Sequence, residues 1–133
     1  YEYVHDHIGY NFRLTNLAAA LGVAQMENLE AYLSVKRNIA DAYLNYFEKY
    51  DKIKAVREPE NAHSNYWLNA LIFESKSEKE HFLKYSNEQK VMTRPVWKLM
   101  NELEMYKNCI TDNLENSKYL ADRIVNVPSS VKN

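Results

Sequence analysis

Residues 66–73 read YWLNALIF, an uncharged run of aromatic and branched side chains. Such a short apolar run is typical of a buried β-strand. Residues 91–97 read VMTRPVW and are also mostly apolar, but Pro95 has no amide hydrogen to donate, which favours an edge strand. A last strand is predicted at residues 123–127, where Pro128 ends it. We therefore expect a small sheet built from the second half of the chain.

Helical segments are predicted between these strands. Ser77 and Glu80 have the spacing of a capping box, which predicts a helix that runs to about Asn87. A polar connector that ends at Pro59 precedes the first strand. Two further helical segments are predicted: residues 99–106, and residues 114–120 with Asp112 and Glu115 as their cap.

A long helix is predicted ahead of the sheet. Apolar residues recur at three-, four- and seven-residue spacings through residues 15–50, and no proline interrupts them. Thr15 or Asn16 is a suitable N-cap, and a bend is expected near Gly22. The order of elements is that of an α+β fold, in which the long N-terminal helix crosses a small, mostly antiparallel sheet with helices on one face.

The composition excludes several classes of function. The chain has 133 residues, which suits one compact domain, and Lys+Arg 17 against Asp+Glu 18 gives a net charge of −1. This balance does not favour nucleic acid or an acidic membrane surface as a partner. No apolar run reaches the ~20 residues that span a bilayer. The single cysteine, Cys109, cannot form an internal disulfide, so we expect a cytoplasmic protein. Because the chain begins at Tyr1 rather than Met, we also expect it to be part of a longer protein.

Four parts of the chain, in this order, resemble a known family. Residues 9–14 (GYNFRL) and 16–26 (NLAAALGVAQM) are similar to the Tyr-Asn-x-Arg loop and following helix of the DegT/StrS-type aminotransferases. Residues 63–68 (HSNYWL) resemble the strand that opens the small domain of these enzymes. Residues 92–97 (MTRPVW) resemble their Thr-Arg-Pro turn, and residues 124–130 (IVNVPSS) resemble their closing strand.

The resemblance implies a fold type I enzyme that depends on pyridoxal phosphate and is a homodimer. Such enzymes transfer an amino group to 3-keto or 4-keto nucleotide sugars during the synthesis of lipopolysaccharide and other surface glycans. The strings at residues 65–69 and at the chain end most resemble the LegC-like branch, which uses glutamate to aminate UDP-linked 4-keto-6-deoxy-N-acetyl sugars. The family's Schiff-base lysine lies in the larger N-terminal domain. We therefore expect no catalytic residue in this chain, and no transamination by it alone.

The same resemblance suggests an organisation and a set of site residues. The expected parts are a site loop at residues 1–14, the connecting helix at 15–50 and the α+β small domain at 51–133. The candidate cofactor ligand is Asn11, whose family counterpart reaches the cofactor phosphate of the other subunit. The candidate substrate contacts are Tyr10, Arg13, His63 and Arg94.

Four of the five candidates have a structural alternative. Asn11 could cap its own loop, Arg13 could anchor that loop in a salt bridge, and Arg94 could make a structural pair. His63 could serve only for packing or lie on the surface. A departure from the family pattern follows the turn, where relatives with a Pro-Leu-His string have a histidine and this chain has residues 98–100, KLM.

Other functions have weaker support in the sequence. Residues 17–25 resemble a helix-turn-helix superficially, but Asn28 stands where that motif needs an apolar residue, and a basic face is missing. His5 and His7 lack the further ligands of a metal site, and Cys109 lacks an activating cation for a catalytic thiol. A non-catalytic α+β interaction module remains the alternative.

Overall fold

The computed structural model of the protein describes residues 4–131. The first three residues of the predicted segment 1–14 and the last two of 51–133 lie outside the described residues. Four strands form one antiparallel sheet in the order β1-β2-β4-β3. They are β1 (Ile53–Ala55), β2 (Asn69–Phe73), β3 (Arg94–Pro95) and β4 (Ile124–Val127).

The centre of the sheet is the pair of β2 and β4, in which Leu71 lies opposite Val125. Both of these side chains are almost fully buried. The strand predicted at residues 66–73 begins three residues later than expected, because Tyr66 has a positive φ of 44° and turns the chain before β2. The prediction of an edge strand at Pro95 is confirmed, since in the sheet of the described residues β3 is the last strand and pairs with β4.

Strand β1 lies within the segment that was predicted to be a polar connector, so that prediction is wrong. Its three residues read IKA, too short a run to show the alternation that identifies a strand. The strand forms through pairing with β2, which places Ile53 opposite Phe73. Tertiary pairing, rather than local propensity, therefore defines this edge of the sheet.

Residues 15–50 form two helices instead of the single one predicted. They are α1 (Asn16–Met26) and α2 (Leu29–Phe47), and the break lies at Glu27 and Asn28 rather than near Gly22. The Asn28 amide donates to the carbonyl of Gln25, a tighter turn than an α-helix makes. The predicted N-cap Thr15 is confirmed, because its hydroxyl accepts a hydrogen bond from the Ala18 amide.

The third helix, α3 (Lys76–Glu88), starts at a different cap from the one predicted. Ser75, not Ser77, is the N-cap, and its hydroxyl accepts from the Glu78 amide at 3.2 Å. Both serines are followed three residues later by a glutamate, so the sequence contains two overlapping capping boxes. Ser75 has the extended backbone that an N-cap needs.

The remaining helical segments are short. The predicted helix near residues 99–106 consists of two 3₁₀ turns, Met100–Glu102 and Glu104–Tyr106. The last helix is α4 (Glu115–Ala121), which begins after Leu114 in a left-handed conformation. Asp112 does not cap it as predicted, because its carboxylate accepts from the Leu114 amide and shapes the preceding turn.

One face of the sheet carries the apolar core. Its buried members are Leu71, Phe73, Leu83, Val125 and Val127. Helix α2 adds Tyr43 and Phe47 to this cluster, and α3 adds Leu83 and Phe82. The predicted α+β architecture, with helices on one face of a small antiparallel sheet, is therefore confirmed.

Helix α1 contributes nothing to this core. None of its side chains is buried, and Leu17, Leu21, Val23 and Met26 are 63–83% exposed. A surface helix normally has one apolar and one polar face, whereas the apolar residues of α1 are distributed around the helix and form no single face. Within residues 4–131, no helix is both long and apolar enough to cross a membrane.

Candidate functional site

The loop before α1 holds three of the predicted site residues. Its Asn11 side-chain oxygen accepts a hydrogen bond from the Arg13 amide at 2.7 Å, which forms an Asx turn. Arg13 has a positive φ of 65°, the left-handed conformation that follows such a turn. Tyr10, Asn11 and Arg13 are all exposed. The Asn11 Nδ2 group is a hydrogen-bond donor that the turn itself does not use.

Arg94 lies at the start of the edge strand, on a turn that is anchored from behind. Its neighbour Thr93 is 1% exposed, and the Thr93 hydroxyl lies 2.6 Å from the hydroxyl of Ser86. The Asn87 side-chain amide donates to both the hydroxyl and the carbonyl of Thr93, at 3.0 and 3.1 Å. These contacts fix the Thr-Arg-Pro turn to α3, while the guanidinium of Arg94 lies 3.3 Å from the sulfur of Met92.

A cleft of about 640 Å³ opens beside this turn. Its volume is within the range of small-molecule sites. The lining combines side chains of both charges, aromatic rings and small polar residues, among them Lys98, Glu102, Trp67, Trp97 and Ser129. Arg94 lines the same cleft.

One wall of the cleft carries an ion pair. Lys76 Nζ lies 3.1 Å from a carboxylate oxygen of Asp122. The hydrogen bond between them raises the pKa of Lys76 and lowers the pKa of Asp122. Both groups therefore remain charged near neutral pH, and the pair adds no net charge to the wall.

The two tryptophans of the chain meet at this cleft. Their rings stack with centroids 6.2 Å apart and an angle of 28° between the planes. Trp67 is 65% exposed and Trp97 is 50% exposed, although indole rings are normally largely covered in folded proteins. Neither ring belongs to the apolar core.

An unusual backbone conformation precedes Trp67. Tyr66 has φ of 44°, which for a bulky residue costs about 1–2 kcal/mol. Surrounding contacts hold it there: its amide donates to the Ser64 hydroxyl at 3.0 Å, and its phenol oxygen accepts from the Glu58 amide at 3.3 Å. The guanidinium of Arg37 lies 5.4 Å from the centre of the Tyr66 ring, in a cation–π arrangement.

Arg37 and Glu58 form a bidentate ion pair at the base of this turn. The two N–O distances are 2.6 and 3.1 Å, and the second Glu58 oxygen also accepts from the Ser64 amide at 2.6 Å. Hydrogen bonds from Arg37, and then from the Ser64 amide, lower the pKa of Glu58 from 4.5 to about 2. The same hydrogen bond raises the pKa of Arg37. The loop that leads to Trp67 is therefore held by a pair that stays charged at neutral pH.

The structure separates the predicted site residues into three places. Arg94 lines the cleft, whereas, within the described chain, Tyr10, Asn11 and Arg13 lie on the exposed loop outside its lining. His63 is exposed and also lies outside that lining. The functional roles of all five stay predictions.

The paired tryptophans and the clamp formed by Arg37 and Glu58 are not among the predicted site residues. One signal was available for the former, because the chain has only two tryptophans and both lie within resembling segments. No local pattern indicates the clamp, since its partners are 21 residues apart and meet only in the folded chain.

The chain matches the profile of the DegT/DnrJ/EryC1/StrS aminotransferase family over residues 1–132. It belongs to this family. The match includes the loop, the turn with Arg94 and the closing strand on which the resemblance was based, so that prediction is confirmed.

Relatives in the family support the assignment. The chain is 32% identical over 105 residues to GDP-perosamine synthase of Escherichia coli O157:H7, with 79% of this chain and 28% of the relative covered. It is 30% identical over 133 residues to GDP-perosamine synthase of Vibrio cholerae, with 96% of this chain and 35% of the relative covered. The chain thus spans about a third of the length of these relatives.

The fold is shared with solved structures. One is PseC of Helicobacter pylori, described as an aminotransferase involved in the biosynthesis of pseudoaminic acid. The TM-score is 0.77 at 17% identity, over 92% of this chain and 34% of that one. At this identity the similarity shows the fold alone.

Proposed function

We propose that the whole protein is a pyridoxal-phosphate-dependent aminotransferase that moves an amino group from glutamate to a keto-deoxy nucleotide sugar. The observation that carries this proposal is the family match over residues 1–132. The product would enter the synthesis of lipopolysaccharide or another surface glycan. The protein is expected in the cytoplasm, a prediction that still rests on its single cysteine.

The loop at Asn11 has the chemistry to hold the phosphate of the cofactor. Its Asx turn uses only the side-chain oxygen, so the Nδ2 group can donate to a phosphate oxygen without a change in the loop. Arg13, two residues on, can add a charged contact to a phosphate. When bound, pyridoxal phosphate supplies the group that carries the amine between donor and acceptor. The lysine that binds it covalently would come from the larger domain.

The cleft beside Arg94 suits the nucleotide sugar. Its cations, Arg94 and Lys98, can bind a diphosphate, and Ser129 and Ser130 provide small polar groups beside them. The sequence resemblance predicts a UDP-linked 4-keto-6-deoxy-N-acetyl sugar, whereas the two curated relatives are named for a GDP-linked product. We therefore propose a keto-deoxy nucleotide sugar as the acceptor, and the test compares UDP-linked with GDP-linked sugars.

The exposed apolar surface of α1 supports a homodimer. Side chains such as Leu17 and Leu21 would be costly to leave in water, so the large domain or the second subunit is proposed to cover them. In such a dimer the Asn11 loop, which directly precedes α1, can reach the cofactor of the partner subunit. Light scattering on the full-length protein should give twice the mass of one chain.

The test is the visible spectrum of the full-length protein with pyridoxal phosphate. We expect a cofactor band that glutamate bleaches and that a keto-deoxy nucleotide sugar restores. UDP-linked and GDP-linked acceptors are compared side by side, and the one that restores the band identifies the nucleotide. Absence of a cofactor band would refute the aminotransferase function and favour the alternative of a non-catalytic interaction module.

Asn11→Asp gives a sharper test of the loop. The substitution keeps an oxygen that accepts from the Arg13 amide but replaces the Nδ2 donor with a negative charge. A hydrogen bond to a charged group contributes about 1.5–3 kcal/mol, so cofactor affinity should fall at least about tenfold. The control is Asn113→Asp, because the Asn113 oxygen also accepts from an amide two residues on. Equal cofactor affinity in the two variants would remove Asn11 from the site.

A further inference from the structure

We propose that the stacked indoles of Trp67 and Trp97 are the platform on which the base of the nucleotide stacks. The inference rests on the proposed function, because that function supplies the class of ligand, a nucleoside diphosphate linked to a sugar. The inference adds a binding position for the base to that function. Neither the sequence resemblance nor the family match assigns a role to these two rings.

The exposure of the rings is the first argument. Within residues 4–131 the two rings lie near one another with centroids 6.2 Å apart, and the residues keep 65% and 50% of their surface exposed, so ring surface is available to a base. A centroid separation of 6.2 Å is within the range of aromatic pairs in direct contact. A base would therefore bind on an outer face and not between the rings. Trp67, the more exposed ring, offers the larger free face.

The fixed position of Trp67 is the second argument. Its amide donates to the side-chain oxygen of Asn65 at 2.9 Å, and its carbonyl accepts from Lys36 Nζ at 3.0 Å. The preceding residue, Tyr66, is held in a left-handed conformation by the contacts described above. These contacts restrain the backbone that carries the indole, and a stacking platform binds better when the chain that carries it is preorganised.

The charges of the same cleft are the third argument. Arg94 and Lys98 line the cleft together with the two rings, and Lys98 directly follows Trp97 in sequence. Carboxylates also line the cleft, and one of them, Asp122, is paired with Lys76. A nucleoside diphosphate combines a flat neutral ring with an anionic diphosphate, so it matches both halves of this lining. A sugar phosphate without a base would use the cations and leave the indoles without a function.

The experiment measures the binding of GDP, UDP and inorganic pyrophosphate to the full-length protein by calorimetry. The variants are Trp67→Ala and Trp67→Phe, and Tyr85→Ala is the control because it removes an exposed ring that lines a different cavity. Stacking of a base on an aromatic ring, judged by alanine substitution, contributes about 5- to 150-fold in affinity. Trp67→Ala should therefore weaken the preferred nucleoside diphosphate by this factor and leave pyrophosphate within about twofold.

Trp67→Phe should retain most of the affinity, because it keeps an aromatic face, and Tyr85→Ala should bind like the wild type. The platform is refuted if the wild type binds neither GDP nor UDP, or if Trp67→Ala binds both as the wild type does. An equal loss for pyrophosphate would also refute it, since that outcome indicates damage to the cleft and not a lost stack.

Failure of the tryptophan platform can be distinguished from failure of the proposed aminotransferase function. A protein whose cofactor band responds to glutamate, but whose nucleotide affinity is indifferent to Trp67, keeps the aminotransferase function and loses the platform. A protein that binds the nucleotide through Trp67, but shows no response to glutamate, keeps the platform and loses the aminotransferase function.

Discussion

Thr93→Val would remove one buried hydroxyl from the contacts that hold the turn carrying Arg94. The single hydroxyl proton of Ser86 is directed at the Phe82 carbonyl at 2.7 Å, so the Thr93 hydroxyl is the donor in its contact with Ser86. The same Thr93 oxygen accepts from the Asn87 amide. Valine keeps the branched shape of threonine and deletes both interactions.

The expected loss of stability follows from the hydrogen bonds that are deleted and from those that Ser86 and Asn87 retain. Two hydrogen bonds at about 1 kcal/mol each give a loss of about 2 kcal/mol. Ser86 still donates to the Phe82 carbonyl, and Asn87 still donates to the Leu83 carbonyl at 2.7 Å, so neither is left buried without a partner. The added methyl group returns up to ~0.8 kcal/mol. The net destabilisation should be about 1–2 kcal/mol.

Hydrogen exchange on the full-length protein can measure this locally. Amides in residues 83–97 that exchange by opening of this turn should exchange about 5- to 30-fold faster in Thr93→Val. Thr111→Val is the matched control, because Thr111 is exposed and the same chemical change there should cost less than about 0.5 kcal/mol. Unchanged exchange in Thr93→Val would show that the hydroxyl does not hold the turn. If the proposed function is correct, the KM for the nucleotide sugar should also rise in this variant.

Two further predictions concern helix α2. Because the pKa of Glu58 is lowered to about 2 in the folded protein, the stability that its charge provides is present above about pH 4.5 and is lost as the pH falls towards 2. In urea unfolding, the stability difference between wild type and Glu58→Gln should therefore be constant from pH 5 to 8 and shrink below pH 4.5; a constant difference down to pH 2.5 would contradict the pairing with Arg37. Lys36→Met should remove the hydrogen bonds to the carbonyls of Trp67 and Ser129, at 3.0 and 2.6 Å, and cost about 1–3 kcal/mol. Faster hydrogen exchange at residues 66–69 would confirm this, and unchanged exchange would contradict it.

The parts of the fold that were predictable are those with a local physical signal. Pro95 cannot donate to a neighbouring strand, and the structure places it in an edge strand. Thr15 or Asn16 is predicted as the N-cap from the side chain alone, and Thr15 is the one observed. The motif order also identified the turn with Arg94, which does line the cleft.

The parts that were missed depend on contacts between distant segments. Three residues starting at Ile53 form a strand only because β2 lies beside them. The left-handed Tyr66 delays the start of the predicted strand to Asn69, and an aromatic residue gives no sequence signal of a positive φ. That conformation is stabilised by Arg37 and Glu58, which are 29 and 8 residues away in sequence. A single sequence read by local patterns does not contain such information.

Helix α2 is attached to the rest of the domain in two different ways along its length. Its second half packs Tyr43 and Phe47 against the apolar core, an interaction that depends on area and tolerates small shifts. Its first half has two consecutive cations, Lys36 and Arg37, that bond to the loop leading to Trp67. Charged hydrogen bonds are directional, and they specify a geometry more than they add stability. The helix thus separates two tasks: changes near Phe47 should alter stability with little effect on the cleft, whereas changes at Lys36 or Arg37 should alter the position of Trp67 first.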